Sequence, residues 1–141
     1  MESHSSRQSD AALPIRVMVV EDHDHVLWGL MKLIVGEWPR MALSGAVRTV
    51  AEAEHALRSR GVDVVVMDIF LEDDNALDRL PPVVAACGAA LVVLTGSRDH
   101  ELYRRAFDCG AAAVVVKDDP AEVLLLRIER AHRDRTRTLR A

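Results

Sequence analysis

Short apolar runs recur along the chain at Ile15–Val20, Met41–Val47, Val62–Met67, Leu91–Leu94 and Ala113–Val116. Each is too short for an independent helix and is bounded by polar or turn-forming residues, so each reads as a β-strand. All but one are nearly continuous in apolar character, the pattern of a parallel strand covered on both faces. Met41–Val47 is the exception: Ser44 and Gly45 interrupt it, which suits an edge.

The intervening segments carry helical spacing and helical punctuation. Gly36, Gly61, Gly88 and Gly110 each follow a candidate helix, where a left-handed residue commonly closes the last turn. Thr49 with Glu52 forms a capping box, and Asp119, Pro120 and Glu122 mark another start, with Pro120 at the first helical position. Pro81 and Pro82 fall in the third helical segment, Asn75 to Cys87; a missing N–H and a ring clash there predict a short or broken helix. Tyr103 and Phe107, four apart on the fourth helix, read as core contacts. Trp28 and Trp38, which bracket the first helix, read as packing or surface residues. Regular alternation of strand and helix defines an α/β fold, a doubly wound five-stranded parallel sheet with helices on both faces.

Composition narrows the setting. A chain of 141 residues, 50% hydrophobic, sustains one domain that buries about two thirds of its unfolded surface. A formal charge of -4 excludes a globally basic nucleic-acid binder. Arg127, Arg130, Arg133, Arg135, Arg137 and Arg140 read instead as cations on a solvated last helix, favourable near its C-terminal end. Cys87 and Cys109 form neither a disulfide framework nor a CxxC pattern, which fits a reducing cytoplasm. No apolar run approaches the roughly 18 residues of a membrane-spanning helix. Residues 1–13, Ser-rich and poor in apolar surface, read as a disordered leader; 14–131 form the domain, and 132–141 an Arg-rich helix end or linker.

In doubly wound sheets ligands bind beyond the carboxyl ends of the strands. There the first strand delivers Glu21 and Asp22, the third Asp68, the fourth Thr95 and the fifth Lys117. Carboxylates gathered in one pocket repel by about 4 kcal/mol per close pair at an effective dielectric of about 20, so the pocket needs a cation. Oxygen-only donors in an open cleft fit magnesium, with Asp22 and Asp68 as direct ligands and Glu21 acting through water. A carboxylate in such a setting can attack phosphorus. Asp68 is the expected nucleophile, Lys117 the fixed positive charge on the phosphoryl oxygens, and Thr95 a hydroxyl donor to another of them. Gly96 leaves room for the incoming group. His23, Asp24 and His25 do not share a helix face, and no further His or Cys completes a tetrahedral set; they read as a solvated helix start.

The segment Val20-Glu21-Asp22-His23, followed by Val26 and Gly29-Leu30, and the ending Gly110-Ala111 to Lys117-Asp118, resemble the receiver domain of bacterial two-component response regulators. The resemblance covers Ile15 to about Arg130 and is nearest to the NarL/FixJ-type branch. It implies a flavodoxin-like sheet of order 2-1-3-4-5, magnesium dependence, and phosphorylation of Asp68 by a sensor histidine kinase or a phosphotransfer protein. A further metal ligand, a backbone carbonyl, maps to Phe70. The family also implies a homodimer, through the fourth helix, fifth strand and fifth helix or through the first and fifth helices. DNA would be reached only through a C-terminal output domain that is not present in this chain. Receivers usually carry Tyr or Phe three residues before the lysine, where this chain has Val114. Asp118 and Asp119 stand where Pro often follows the lysine, and the loop from Ile69 to Asn75 lacks the frequent Pro and Gly.

Two other functions fit parts of the pattern. A degenerate receiver acting as an interaction module, without phosphate, is motivated by Val114 and the altered loop. A magnesium-dependent hydrolase also employs a strand-end Asp, but such enzymes typically place a second Asp two residues later, where this chain has Phe70. No GxxxxGK[ST] loop for nucleotide binding occurs. The expectation is a signalling domain rather than an enzyme.

Overall fold

The computed structural model describes residues 13–71 and 76–140, so the expected leader lies outside the described residues apart from Leu13. Its elements are β1 (Ile15–Val20), α1 (Asp24–Val35), β2 (Met41–Val47), α2 (Val50–Ser59), β3 (Val64–Asp68), α3 (Ala76–Ala86), β4 (Ala90–Thr95), α4 (His100–Asp108), β5 (Ala113–Val116) and α5 (Ala121–Arg140). The strands pair in parallel in the order β2-β1-β3-β4-β5, with β2 at an edge as its composition implies. β3 starts two residues later than the apolar run and ends on Asp68, and β4 extends to Thr95; both functional candidates are thus ladder residues.

Successive side chains of a strand point to opposite faces, and both faces here are covered. Met18, Val20, Val65, Met67, Leu91 and Val93 pack with Leu57, Leu80, Val84 and Ala106 from α2, α3 and α4. Val17, Val19, Val64, Val66, Val92 and Val115 pack with Leu27, Ile34, Leu124 and Ile128 from α1 and α5. Two-sided burial is why these strands read as unbroken apolar runs. The interruption in β2 is a bulge: Val17 pairs with Leu43 and Met18 with Gly45, which leaves Ser44 out of register. The Ser44 hydroxyl donates to the Gly61 carbonyl at 2.8 Å, and Arg60 Nη1 donates to the Ser44 carbonyl at 3.1 Å.

Several local expectations are corrected. α3 runs unbroken through Pro81 and Pro82 over its described span, although it is only 11 residues long. Leu77, Leu80, Pro81 and Val84 are buried on one side, and that tertiary packing outweighs the lost backbone bonds. Among the described glycines only Gly88 and Gly110 have positive φ, 76° and 113°. Gly36 closes α1 in a right-handed conformation, φ -66°. Gly61 follows an extended Arg60 and is a matter of space: a Cβ there would meet the Arg16 guanidinium. The capping box half forms, since Glu52 N–H donates to Thr49 Oγ1 at 3.1 Å while Glu52 Oε1 accepts from Arg48 N–H at 3.0 Å. α5 starts at Ala121, one residue beyond Pro120.

Phe107 is 50% exposed rather than core, because α4 is nine residues long and buries only Ala106. Trp28 and Trp38 are surface residues. The Arg-rich end is helix through Arg140, and Arg135 Nη2 donates to the Ala85 carbonyl at 3.0 Å, capping the end of α3. Among the described residues no helix is long and apolar enough to cross a membrane.

At the amino edge of the sheet Asp63 Oδ2 accepts from Arg16 N–H at 2.8 Å and from Nε at 3.1 Å, while Oδ1 accepts from Nη2 at 3.0 Å. Burial pushes the Asp63 carboxyl up, but the bonds and charge from Arg16 outweigh it and hold it below the usual value of 3.8. A carboxylate depressed by folding stabilises the fold above its unfolded pKa, and that contribution disappears as pH falls through the folded value. Asp63→Asn is therefore expected to cost about 1 kcal/mol at neutral pH, discounted for the exposed guanidinium. Urea titrations should show the gap to wild type closing as pH drops below about 4; a gap independent of pH would contradict this account.

Candidate functional site

The carboxyl edge of the sheet gathers the polar residues. Glu21 directly follows β1 and is fully buried, its N–H held by the Val47 carbonyl at 3.0 Å. Asp68 ends β3 at 1% exposure, paired in register with Leu94, and Thr95 ends β4 fully buried. Lys117 follows β5, and its N–H donates to the Thr95 carbonyl at 2.8 Å. Strand pairing thus fixes the backbones of residues that lie far apart in sequence.

The side chains converge as the strand ends imply. Lys117 Nζ donates to Asp68 Oδ2 at 3.1 Å and to Glu21 Oε1 at 3.2 Å. Burial pulls this ammonium down, but the bond and charge of Asp68, with those of Glu21, outweigh it and hold Lys117 above its usual value. The other Asp68 oxygen accepts from Phe70 N–H at 3.1 Å. Phe70 itself is 56% exposed, so it meets the cleft through its backbone. Open space surrounds the Gly96 Cα on its side-chain side.

His23, read from sequence as part of a solvated helix start, belongs to this cleft. Its N–H donates to Glu21 Oε2 at 3.1 Å, and its Nδ1 lies 3.0 Å from that oxygen and 3.1 Å from Asp22 Oδ1. The hydrogen bond to Glu21, then the charge of Asp22, hold the imidazole above the usual histidine value. Helix-face reasoning missed it because His23 is the extended N-cap residue, outside the helix. The available signal was an imidazole at a cap position where Ser, Thr, Asp or Asn is preferred.

Glu21, Asp22, His23 and Asp68 each offer a ligand atom, all within 4.8 Å of one another. Carboxylate oxygens at this spacing suit a hard divalent cation that keeps part of its water. Thr95 sits beside this cluster in the sheet order, and its Oγ1 accepts from Ser97 N–H at 3.0 Å. Ser97 is itself a junction: its Oγ accepts from Asp99 N–H at 3.1 Å, and its carbonyl accepts from the Tyr103 hydroxyl at 2.8 Å. Asp99 in turn caps α4 through Glu101 N–H at 3.0 Å. A hydrogen-bonded chain therefore links the end of β4 to α4.

Comparison with known proteins agrees with this geometry. Residues 17–129 match the response regulator receiver domain. The transcriptional regulatory protein PdtaR of Mycobacterium tuberculosis is 29% identical over 123 residues, covering 87% of this chain and 59% of that protein. The DNA-binding transcriptional activator DevR/DosR of the same organism is 30% identical over 105 residues, covering 74% of this chain and 48% of its own length. This chain thus spans only about half to three fifths of the curated relatives it matches. Among solved structures, a CheY-like receiver domain protein from Methanospirillum hungatei superposes with a TM-score of 0.76 at 18% identity, covering 89% of this chain and 98% of that one. The receiver domain of the NarL regulator of M. tuberculosis gives 0.75 at 15% identity, covering 85% and 97%. These two show the shared fold, and with a family match that runs from β1 into α5, the chain belongs to the response regulator receiver domains of two-component signalling.

Proposed function

We propose that this receiver accepts a phosphoryl group on Asp68, from a sensor histidine kinase or phosphotransfer protein in the cytoplasm, and that the modification reshapes the surface around α4 and α5. The observation that carries the reading is the Lys117 ammonium shared by Asp68 and Glu21 at 3.1 and 3.2 Å. It places a fixed cation against the carboxylate that would react. Lys117 on one oxygen and Phe70 N–H on the other orient the Asp68 carboxylate before a donor arrives.

In the transfer an Asp68 oxygen forms the new bond to phosphorus while the donor's P–N bond breaks and its imidazole departs with that electron pair. Lys117 then faces the phosphoryl oxygens. Thr95 already accepts from Ser97, which leaves its O–H to donate to a further phosphoryl oxygen. Magnesium held by Asp22 and Asp68, with Glu21 through water and the Phe70 carbonyl as a further ligand, would supply charge neutralisation for those oxygens.

Capture of phosphate by Thr95 would draw on its bond to Ser97, whose carbonyl holds Tyr103 on α4. This route suits a chain with Val114 at the usual aromatic position. Val114 packs partly buried against the core under α2 to α4, and a β-branched side chain has little χ1 freedom to swing. The same observation favours a second reading, an interaction module that needs no phosphate. Phe107 on α4 and Leu126 on α5, 50% and 53% exposed, lie on elements expected to pair two copies.

Incubation with magnesium and a small acyl phosphate should add one phosphoryl group by intact mass, and Asp68→Asn should gain none; equal labelling of the two proteins would end the phosphoacceptor reading. If partner binding survives Asp68→Ala undiminished, the interaction-module reading replaces it. Beryllofluoride should shift amide resonances mainly in the β4–α4 loop and α4, with a larger and wider response in Val114→Tyr. Indistinguishable shifts would show that Val114 does not shape the response. Lys117→Met, in chelator at neutral pH, should lose about 2 kcal/mol of stability, below the figure for a fully buried pair because Lys117 is 29% exposed. Added magnesium should restore part of it; no loss in chelator would mean the carboxylates do not need the ammonium.

A further inference from the structure

We infer that His23 is a nitrogen ligand of this cleft and gives it a preference for borderline transition cations, such as Co2+, over magnesium. The inference rests on the reading of the cleft as a divalent-cation pocket and adds a ligand of different chemistry. His23 occupies the N-cap of α1 with extended angles, φ -91° and ψ 120°, yet its side chain makes no capping bond to the helix. The ring turns back over the strand end instead. Nδ1 lies 3.0 Å from Glu21 Oε2 and 3.1 Å from Asp22 Oδ1, and the same residue's N–H fixes Glu21 Oε2 at 3.1 Å. Backbone and side chain of His23 thus both address the acidic cluster.

Its Nδ1 belongs to the set of four donor atoms within 4.8 Å of one another, with Glu21, Asp22 and Asp68. Three carboxylates and one imidazole form a mixed oxygen and nitrogen site. Magnesium gains little from nitrogen and binds through oxygen and water, whereas imidazole suits Co2+, Ni2+ and Zn2+, whose affinities for such sites exceed those of harder ions. The His23 side chain is 54% exposed, so the proton that Nδ1 holds between the two carboxylates passes to solvent when an ion takes its place.

Calorimetric titration of the full chain with Mg2+ and with Co2+ tests this, using wild type, His23→Ala, His23→Gln, His25→Ala and Asp68→Ala. Wild type should bind Co2+ more tightly than Mg2+. Both His23 variants should lose about tenfold or more in Co2+ affinity while Mg2+ affinity stays within about twofold. His25→Ala, two residues along the chain and exposed, should match wild type for both ions. The visible absorption of bound Co2+ should also change in His23→Ala, reporting loss of nitrogen from its coordination. If the His23 variants keep wild-type Co2+ affinity, or lose Co2+ and Mg2+ in equal proportion, the inference fails. Asp68→Ala separates the two levels: it should weaken both ions, and unchanged Mg2+ binding there would remove the pocket itself rather than only the role of His23.

Discussion

Glu21 and Asp68 bring negative charge out of water at the ends of adjacent strands, and the rest of the cleft is organised around compensating it. A buried carboxylate without a partner costs several kcal/mol or more, enough to consume much of a small domain's net stability of about 5–15 kcal/mol. Lys117 provides the compensation from β5, two strands from Asp68 in the sheet, so its stem must cross the end of β4. That requirement ties together three strand ends and the loop after β5. Phe70 N–H and His23 N–H complete the effect by giving the remaining carboxylate oxygens fixed donors.

Such an arrangement needs a frame that does not yield to the repulsion within it. The frame is a sheet filled on both faces, in which Val19, Val20, Val66 and Met67, immediately before the acidic residues, are entirely buried. Shifting either strand by one residue would turn its apolar side chains to the wrong layer, so register is strongly specified. The carboxylates are therefore held close by hydrophobic packing that they do not themselves contribute to. Fold and site pull against each other, and the fold prevails because its buried area is far larger.

The fold was legible because two-sided burial leaves runs of Val and Leu whose ends can be read directly. Those ends also pointed to Glu21, Asp22, Asp68, Thr95 and Lys117, which the structure brings to one edge of the sheet. The illegible parts share a cause: each depends on what a neighbouring element does. Phe107 follows the spacing of a buried residue, but α4 meets the core through Ala106, with Leu102 half-buried beside it, and leaves Phe107 on the outer side. Pro81 breaks local propensity, yet lies buried in a helix that packing keeps continuous through it. His23 was judged by helix-face geometry although it stands just before the helix, where its ring is free to turn toward Glu21. Gly61 resembled a helix terminator, but Arg60 before it is extended, and the missing Cβ leaves room for the Arg16 guanidinium.

The two edges of the sheet are built for different duties. At the amino edge, Arg16 grips Asp63 through three bonds, and Arg135 ties α5 to the last turn of α3. These contacts join strands and helices that already pack together, so breaking one leaves the others in place. At the carboxyl edge, by contrast, the link from Thr95 to α4 passes through single hydrogen bonds at Ser97 and Asp99 in a loop. Each such bond is worth only about 1 kcal/mol, comparable to the change that one new charged hydrogen bond in the cleft would bring. A charge event at Asp68 would therefore fall on an edge where single loop bonds of its own magnitude, not several packed contacts together, are the restraint. The sheet below stays put, and the loop with α4 is the part able to answer.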